Sequence, residues 1–157
     1  MDRNAETPYH HATAVVIGEA GVLIRGPSGA GKSSLALSLI AVAQQAGAFS
    51  RLIGDDRVGI SLHGGRIIAR GHPAILGKIE RRGQGIVTVP YLPAAVLRVV
   101  IQLASAADPT PRYPGPDHDQ ILLLDARLPL LRICQDSAPA SLAPAILADL
   151  RLRGIIA

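Results

Sequence analysis

Gly26-Pro27-Ser28-Gly29-Ala30-Gly31-Lys32-Ser33 gathers three glycines, a lysine and two hydroxyls between an apolar run, Gly21 to Arg25, and a run of helix formers, Ser34 to Ala46. A strand-to-helix turn of this composition suits a phosphate: the glycines let the backbone curl around an anion, so that successive N–H groups and the helix N-terminus point at it. Residues Gly26, Pro27, Ser28, Gly29, Ala30, Gly31, Lys32, Ser33 and Ser34 are therefore the expected nucleotide-binding stretch. Lys32 offers a point charge to the β- and γ-phosphates, and the Ser33 hydroxyl suits Mg²⁺, a hard cation that keeps few protein oxygens and bridges phosphates. Further on, Asp55 and Asp56 follow the apolar Leu52-Ile53-Gly54. Two adjacent carboxylates facing a phosphate loop are what phosphoryl transfer needs, one to hold Mg²⁺ and the other to accept the proton of an attacking hydroxyl. Asp56-Arg57-Val58-Gly59 also fits the Asp-x-x-Gly of GTPases, but no Asn-Lys-x-Asp base-reading motif accompanies it, and that reading is set aside.

The elements that must position these residues follow from the apolar pattern. Ala12 to Ile17 and Gly21 to Arg25 read as two strands joined by a hairpin at Gly18-Glu19-Ala20-Gly21, leading straight into the loop. Leu35, Leu39, Ile40, Val42 and Ala43 recur at helical spacing, and Gly47 is a C-cap. Arg51 to Gly54 is a strand returning across the sheet, and a right-handed crossover puts its carboxyl end beside the phosphate loop. Val58 to Leu62 and Arg66 to Arg70 flank the turn His63-Gly64-Gly65; a short helical turn is expected over Ala74 to Glu80 after Pro73. Strands are expected at Ile86 to Val89, Val96 to Leu103 and Leu130 to Ile133. Residues 104–120 carry four prolines and read as a mobile surface loop, residues 1–10 as a flexible end, and Ser141 to Gly154 as an amphipathic helix with Ser141 as N-cap.

With 157 residues the chain is expected to be a single domain. Hydrophobic residues make up 48% but aromatics only 3%, so the core must be built from Ala, Val, Ile and Leu, as buried strands under helices are; this favours an α/β fold. The net charge of +4 comes from basic residues scattered singly, without stacking aromatics, which argues against nucleic acid as the partner. The lone Cys134 leaves no internal disulfide, and neither an export signal nor a membrane span is visible, so a cytoplasmic location is expected. His118 between Asp117 and Asp119 reads as solvated, and His63 and His72 read as surface residues.

Four motifs in order, His11, the loop in its Gly-x-Ser-Gly-x-Gly-Lys-Ser form, Leu52-Ile53-Gly54-Asp55-Asp56-Arg57-Val58 and Glu80-Arg81-Arg82-Gly83-Gln84-Gly85-Ile86, together resemble the catalytic domain of HPr kinase/phosphorylase. The resemblance runs from about His11 to Val89. It implies a P-loop mixed sheet with flanking helices, similar to phosphoenolpyruvate carboxykinases, and a homo-oligomer. It also implies an enzyme that uses ATP and Mg²⁺ to phosphorylate a serine of an HPr-type phosphocarrier protein in phosphotransferase-system regulation, and that in many members reverses the reaction with inorganic phosphate. Carried over by position, Asp55 is the general base and Lys32 and His11 share the catalytic role. Ser33, Asp56 and Glu80 then surround the divalent ion, Ser28 lies near the transferred phosphate and Arg82 beside the ion site. The chain is expected to be a short form without the N-terminal domain common in such proteins; Ser34 stands where an acidic residue is common, and Leu130 to Ile133 is the nearest stretch to the family's C-terminal Arg- and Gly-containing segment. Two other readings stand beside this one. A small-molecule kinase needs a lid that brings arginines onto the phosphates, and residues 104–120 contain only Arg112; a non-catalytic ATP sensor would not need Asp55.

Overall fold

The apolar runs ahead of the loop are strands buried on both faces, which is why they read as unbroken rather than alternating sequence. In the computed structural model, which describes residues 8–104, 119–133 and 138–157, a short strand Tyr9–His10 (β1) precedes Thr13–Ile17 (β2) and Ala20–Arg25 (β3). β2 and β3 pair antiparallel about a tight turn in which Gly18 takes φ 61°. The loop follows, then the helix Lys32–Gln45 (α1), which starts two residues before the expected Ser34. It ends as its sequence predicts: Gly47 adopts φ 81°, and the N–H groups of Gly47 and Ala48 reach back to the carbonyls of Gln44 and Ala43 at 3.0 and 2.9 Å. The next strand, Ser50–Gly54 (β4), pairs antiparallel with β2. β4 therefore runs in the same direction as β3 with β2 between them.

Val58–His63 (β5) and Arg66–Gly71 (β6) form the expected hairpin. A separate hairpin, Lys78–Arg81 (β7) and Gly85–Thr88 (β8), stands off the main sheet. The long strand Ala94–Leu103 (β9) then inserts between β6, antiparallel, and β3, parallel, giving the order β1-β5-β6-β9-β3-β2-β4. Beyond it, Gln120–Leu123 (β10) pairs with Ala126–Ile133 (β11), and β11 joins β9 in parallel at Val100 to Leu103. The helix Ala143–Leu152 (α2) closes the described chain. The sheet is thus mixed and the class is α/β.

Three expectations need correction. Glu80 does not lie on a helical turn: only Pro73–Ile75 turns, as a 3-10 segment, and the chain then extends as β7. Exposed Lys78, buried Ile79 and exposed Glu80 alternate with the strand period, and Gly77, at φ 75°, breaks the turn where a Cβ would lie 2.8 Å from the Tyr91 ring. Ser141 does not cap a helix: its hydroxyl donates to the Ala138 carbonyl at 2.7 Å inside a 3-10 turn, Pro139–Leu142, and α2 begins after it. The helices flank one face only. α1 and α2 cover a core of Val22, Ile24, Leu35, Leu39, Ile101 and Leu150, whereas the opposite core, with Leu23, Ile53, Ile60, Ile67 and Val100, is closed by the strands of the β5–β6 and β10–β11 hairpins. The expected mobile loop at 104–120 lies almost wholly outside the described residues, as do Cys134 and His118. No helix among the described residues is long and apolar enough to cross a membrane.

Candidate active site

The direction of the strands assembles the site. β3 and β4 both end at one rim of the sheet and β2 begins there, so the loop after β3, the carboxylates after β4 and the histidine before β2 converge although they are far apart in sequence. Gly26 fits the loop tightly against the end of β9, since a Cβ there would stand 2.9 Å from that of Leu103. Gly29 and Gly31 take φ of 78° and 98°, conformations that L side chains rarely adopt, and Gly31 leads into the first turn of α1. Lys32, nearly buried, folds its ammonium back onto the carbonyls of Gly26 and Pro27, 3.0 Å from each, and so holds its charge inside the loop's curl. Pro27, Ser28 and Gly29 are exposed at the tip, Ala30 is buried beneath it and Ser34 points out to solvent.

The two aspartates differ sharply. Asp55 is 7% exposed, and both its oxygens are engaged. Oδ1 accepts the hydroxyls of Ser33 and Thr13, each at 2.8 Å, while Oδ2 accepts the backbone N–H of Glu80 at 3.2 Å. The side chain of Asp56 is 58% exposed and meets His11, whose Nδ1 donates to Oδ1 at 2.8 Å. Asp56 also sits at φ 66°, in the left-handed region, and the Arg57 N–H bonds to the Asp55 carbonyl at 2.7 Å across the turn. Backbone strain of this kind at a non-glycine residue concentrates where a side chain must be aimed. The turn sends successive carboxylates opposite ways, one into the loop and one toward the rim.

Ser33 and Asp55 present oxygen ligands beside the lysine and the helix N-terminus, a donor set of the hardness and number that Mg²⁺ takes from a protein. Glu80 arrives on β7 with its backbone bonded to Asp55 and its side chain exposed. Arg81 and Arg82 lie exposed at the β7–β8 turn, which is closed by a bond from Gln84 N–H to the Arg81 carbonyl. The structure thus brings together His11, Lys32, Ser33, Asp55, Asp56 and the backbone of Glu80, and leaves Ser28 and Arg82 without a contact to that group.

Residues 2–105 match the family model described as HPr Serine kinase C-terminal domain. The chain belongs to this family. It is 42% identical over 80 residues to an HPr kinase/phosphorylase of Mycoplasma mycoides, an alignment spanning 51% of this chain and 24% of that protein. It is 32% identical over 132 residues to that of Exiguobacterium sp., spanning 78% and 40%. The chain therefore spans between about a quarter and two-fifths of the length of these curated relatives. A solved HPr(Ser) kinase/phosphatase of Coxiella burnetii superposes with a TM-score of 0.74 over 93% of this chain and 97% of that one, at 23% identity, a likeness of fold. All the residues gathered at the rim lie inside the family match.

Sequence reasoning missed Thr13. It is the one hydroxyl in the apolar run Ala12 to Ile17, and a buried hydroxyl must find an acceptor; that mismatch was the available signal. His72 also departs from its surface reading: it is half-buried, its Nδ1 accepts the Ala74 N–H at 3.1 Å and its ring packs 4.7 Å from that of Tyr9. Together these contacts pin β1, and with it the approach to His11, against the turn after β6.

Proposed function

We propose that this chain is an ATP- and Mg²⁺-dependent serine kinase of the cytoplasm, acting on an HPr-type phosphocarrier protein in phosphotransferase-system regulation, with phosphorolysis as its reverse reaction. The observation that carries the reading is the asymmetry of the aspartate pair: Asp55 locked against Ser33, Asp56 open to solvent against His11. Its hydrogen bonds favour a division of labour opposite to the one the family resemblance suggested. Asp55 is nearly buried and already accepts from Ser33, Thr13 and the Glu80 N–H, which leaves acceptor capacity for a small ion but far less access for a serine of a second protein than the exposed Asp56 has. By accepting the Ser33 hydroxyl's hydrogen bond it turns that oxygen's lone pairs outward, and the two residues would hold the ion, with Glu80 joined to Asp55 through its backbone N–H. Mg²⁺ held there would supply charge neutralisation at the phosphates.

Asp56 is then the base. It takes the proton from the acceptor hydroxyl while the seryl oxygen bonds to the γ-phosphorus and the bond from that phosphorus to the β–γ bridging oxygen breaks, releasing ADP. His11 fixes the orientation of the carboxylate, and Lys32 stands against the charge on the phosphates. In phosphorolysis the same carboxyl returns its proton to the seryl oxygen. Incubation with γ-labelled ATP, Mg²⁺ and purified HPr tests the reading. Label in HPr as acid-stable phosphoserine is the expected result. ATP bound but never transferred would favour a sensor, and label confined to small molecules would favour a small-molecule kinase; either outcome overturns the proposal.

A further inference from the structure

β9 has three strand neighbours, and two of them share one of its edges. β3 occupies one side; on the other, β6 pairs with Ala94 to Val96 and β11 with Val100 to Leu103, so no strand lies beside residues 97–99. β6 and β11 diverge around this gap and leave a cleft of about 570 Å³, floored by Ile67 and Leu97 and lined by Arg66, Arg98, Arg127 and Glu19. The four charged residues come from four separate places: the start of β6, the middle of β9, the start of β11 and the β2–β3 turn. Among the described residues none of the three guanidinium groups has a hydrogen bond or an ion pair, whether to Glu19 or to any other side chain. Three exposed guanidinium groups that line one open cleft and lack a protein acceptor repel one another, and a cleft of this size admits a small molecule. The cleft lies around Leu97, six residues along β9 from Leu103, which seats the phosphate loop. At ~3.3 Å per residue that is roughly 20 Å away, too far to be part of the same site.

We infer that this cleft is a second binding site, for a small organic or inorganic anion carrying two or more negative charges. Arginine is the side chain suited to it, because its planar fork meets carboxylate and phosphate oxygens two at a time. Glu19 sets a lower limit on the ligand's charge: a monoanion gains little where one carboxylate already faces the three guanidinium groups. Because β9 also supports the phosphate loop, an anion bridging Arg66, Arg98 and Arg127 would tie β6 and β11 together along the strand that loop rests on.

Calorimetric titration of the full chain with citrate, pyrophosphate and orthophosphate tests this, using Lys32→Ala as the background so that the phosphate loop does not mask the signal. Saturable binding of citrate, pyrophosphate or both, with orthophosphate much weaker, is expected. Citrate alone would mark a polycarboxylate site, pyrophosphate alone a site for phosphorylated ligands, and both a site that reads charge. Adding Arg98→Gln or Arg127→Gln should weaken binding about tenfold or more each, and Glu19→Gln should tighten it. Both arginines are exposed, so folding, followed by thermal melting, should be unchanged; two independent variants guard against one that is not. Silence in all three titrations, or binding unaltered by both arginine substitutions, overturns the inference.

Discussion

At the scale of the residue, neighbouring carboxylates in the same turn are made unequal by what each touches. Asp55 accepts three hydrogen bonds and is nearly buried, while Asp56 is exposed with His11 as its partner, so removing the charge from each should fail differently. Asp56→Asn should leave ATP binding intact and lower turnover about 10²- to 10⁴-fold, the range of a positioned general base. Asp55→Asn should instead raise the Mg²⁺ concentration needed for half-maximal rate, with partial rescue by excess metal, because an amide is a poorer ligand for a hard cation. Steady-state kinetics against Mg²⁺ for both variants would decide; identical responses would refute the division. Lys32→Ala removes a charge-assisted contact to phosphate and should weaken ATP at least about tenfold, ~1.4 kcal/mol, in an equilibrium titration. Equal affinities would move the nucleotide elsewhere.

At the scale of the element, the β7–β8 hairpin is attached to the body by one fully buried side chain. Ile79 is 1% exposed within the helix-covered core, whereas Lys78, Glu80 and Arg81 beside it face solvent. Ile79→Ala should cost about 2–5 kcal/mol by leaving a cavity, and should loosen the hairpin so that the Glu80 N–H no longer holds Asp55. The check is a fall in melting temperature together with faster amide exchange across 78–88 than across β2 and β3; uniform exchange would show that the hairpin is not a separate unit. This hairpin also marks the limit of legibility in the sequence. The phosphate loop, α1 and the β5–β6 hairpin were readable because glycine turns and helical spacing are local signals. β7 was not: its alternation lasts only four residues, and a preceding proline turn imitates a helix start. The aspartate pair was readable as a pair, but the unequal surroundings of its two members were not, since they depend on Thr13 at the start of β2 and on His11 just ahead of it.

At the scale of the whole molecule, the strand on which the others depend is translated late. β9 separates β3 from β6 and supports Gly26 through Leu103, yet every residue gathered at the rim precedes it in the chain. While the ribosome has made only that far, β3 has a bare edge of Val22, Leu23 and Ile24, side chains that are wholly buried in the finished protein, and the loop has nothing to rest on. Such an edge is a template for pairing with another chain. A truncation after Leu92 therefore holds the complete set of gathered side chains and should still be insoluble and blind to ATP, measured by sedimentation and by nucleotide protection against proteolysis. If that fragment were soluble and protected, the loop would be self-supporting. Otherwise ATP cannot help the nascent chain to fold, and the interval before β9 emerges is when the bare β3 edge is open to pairing with other chains.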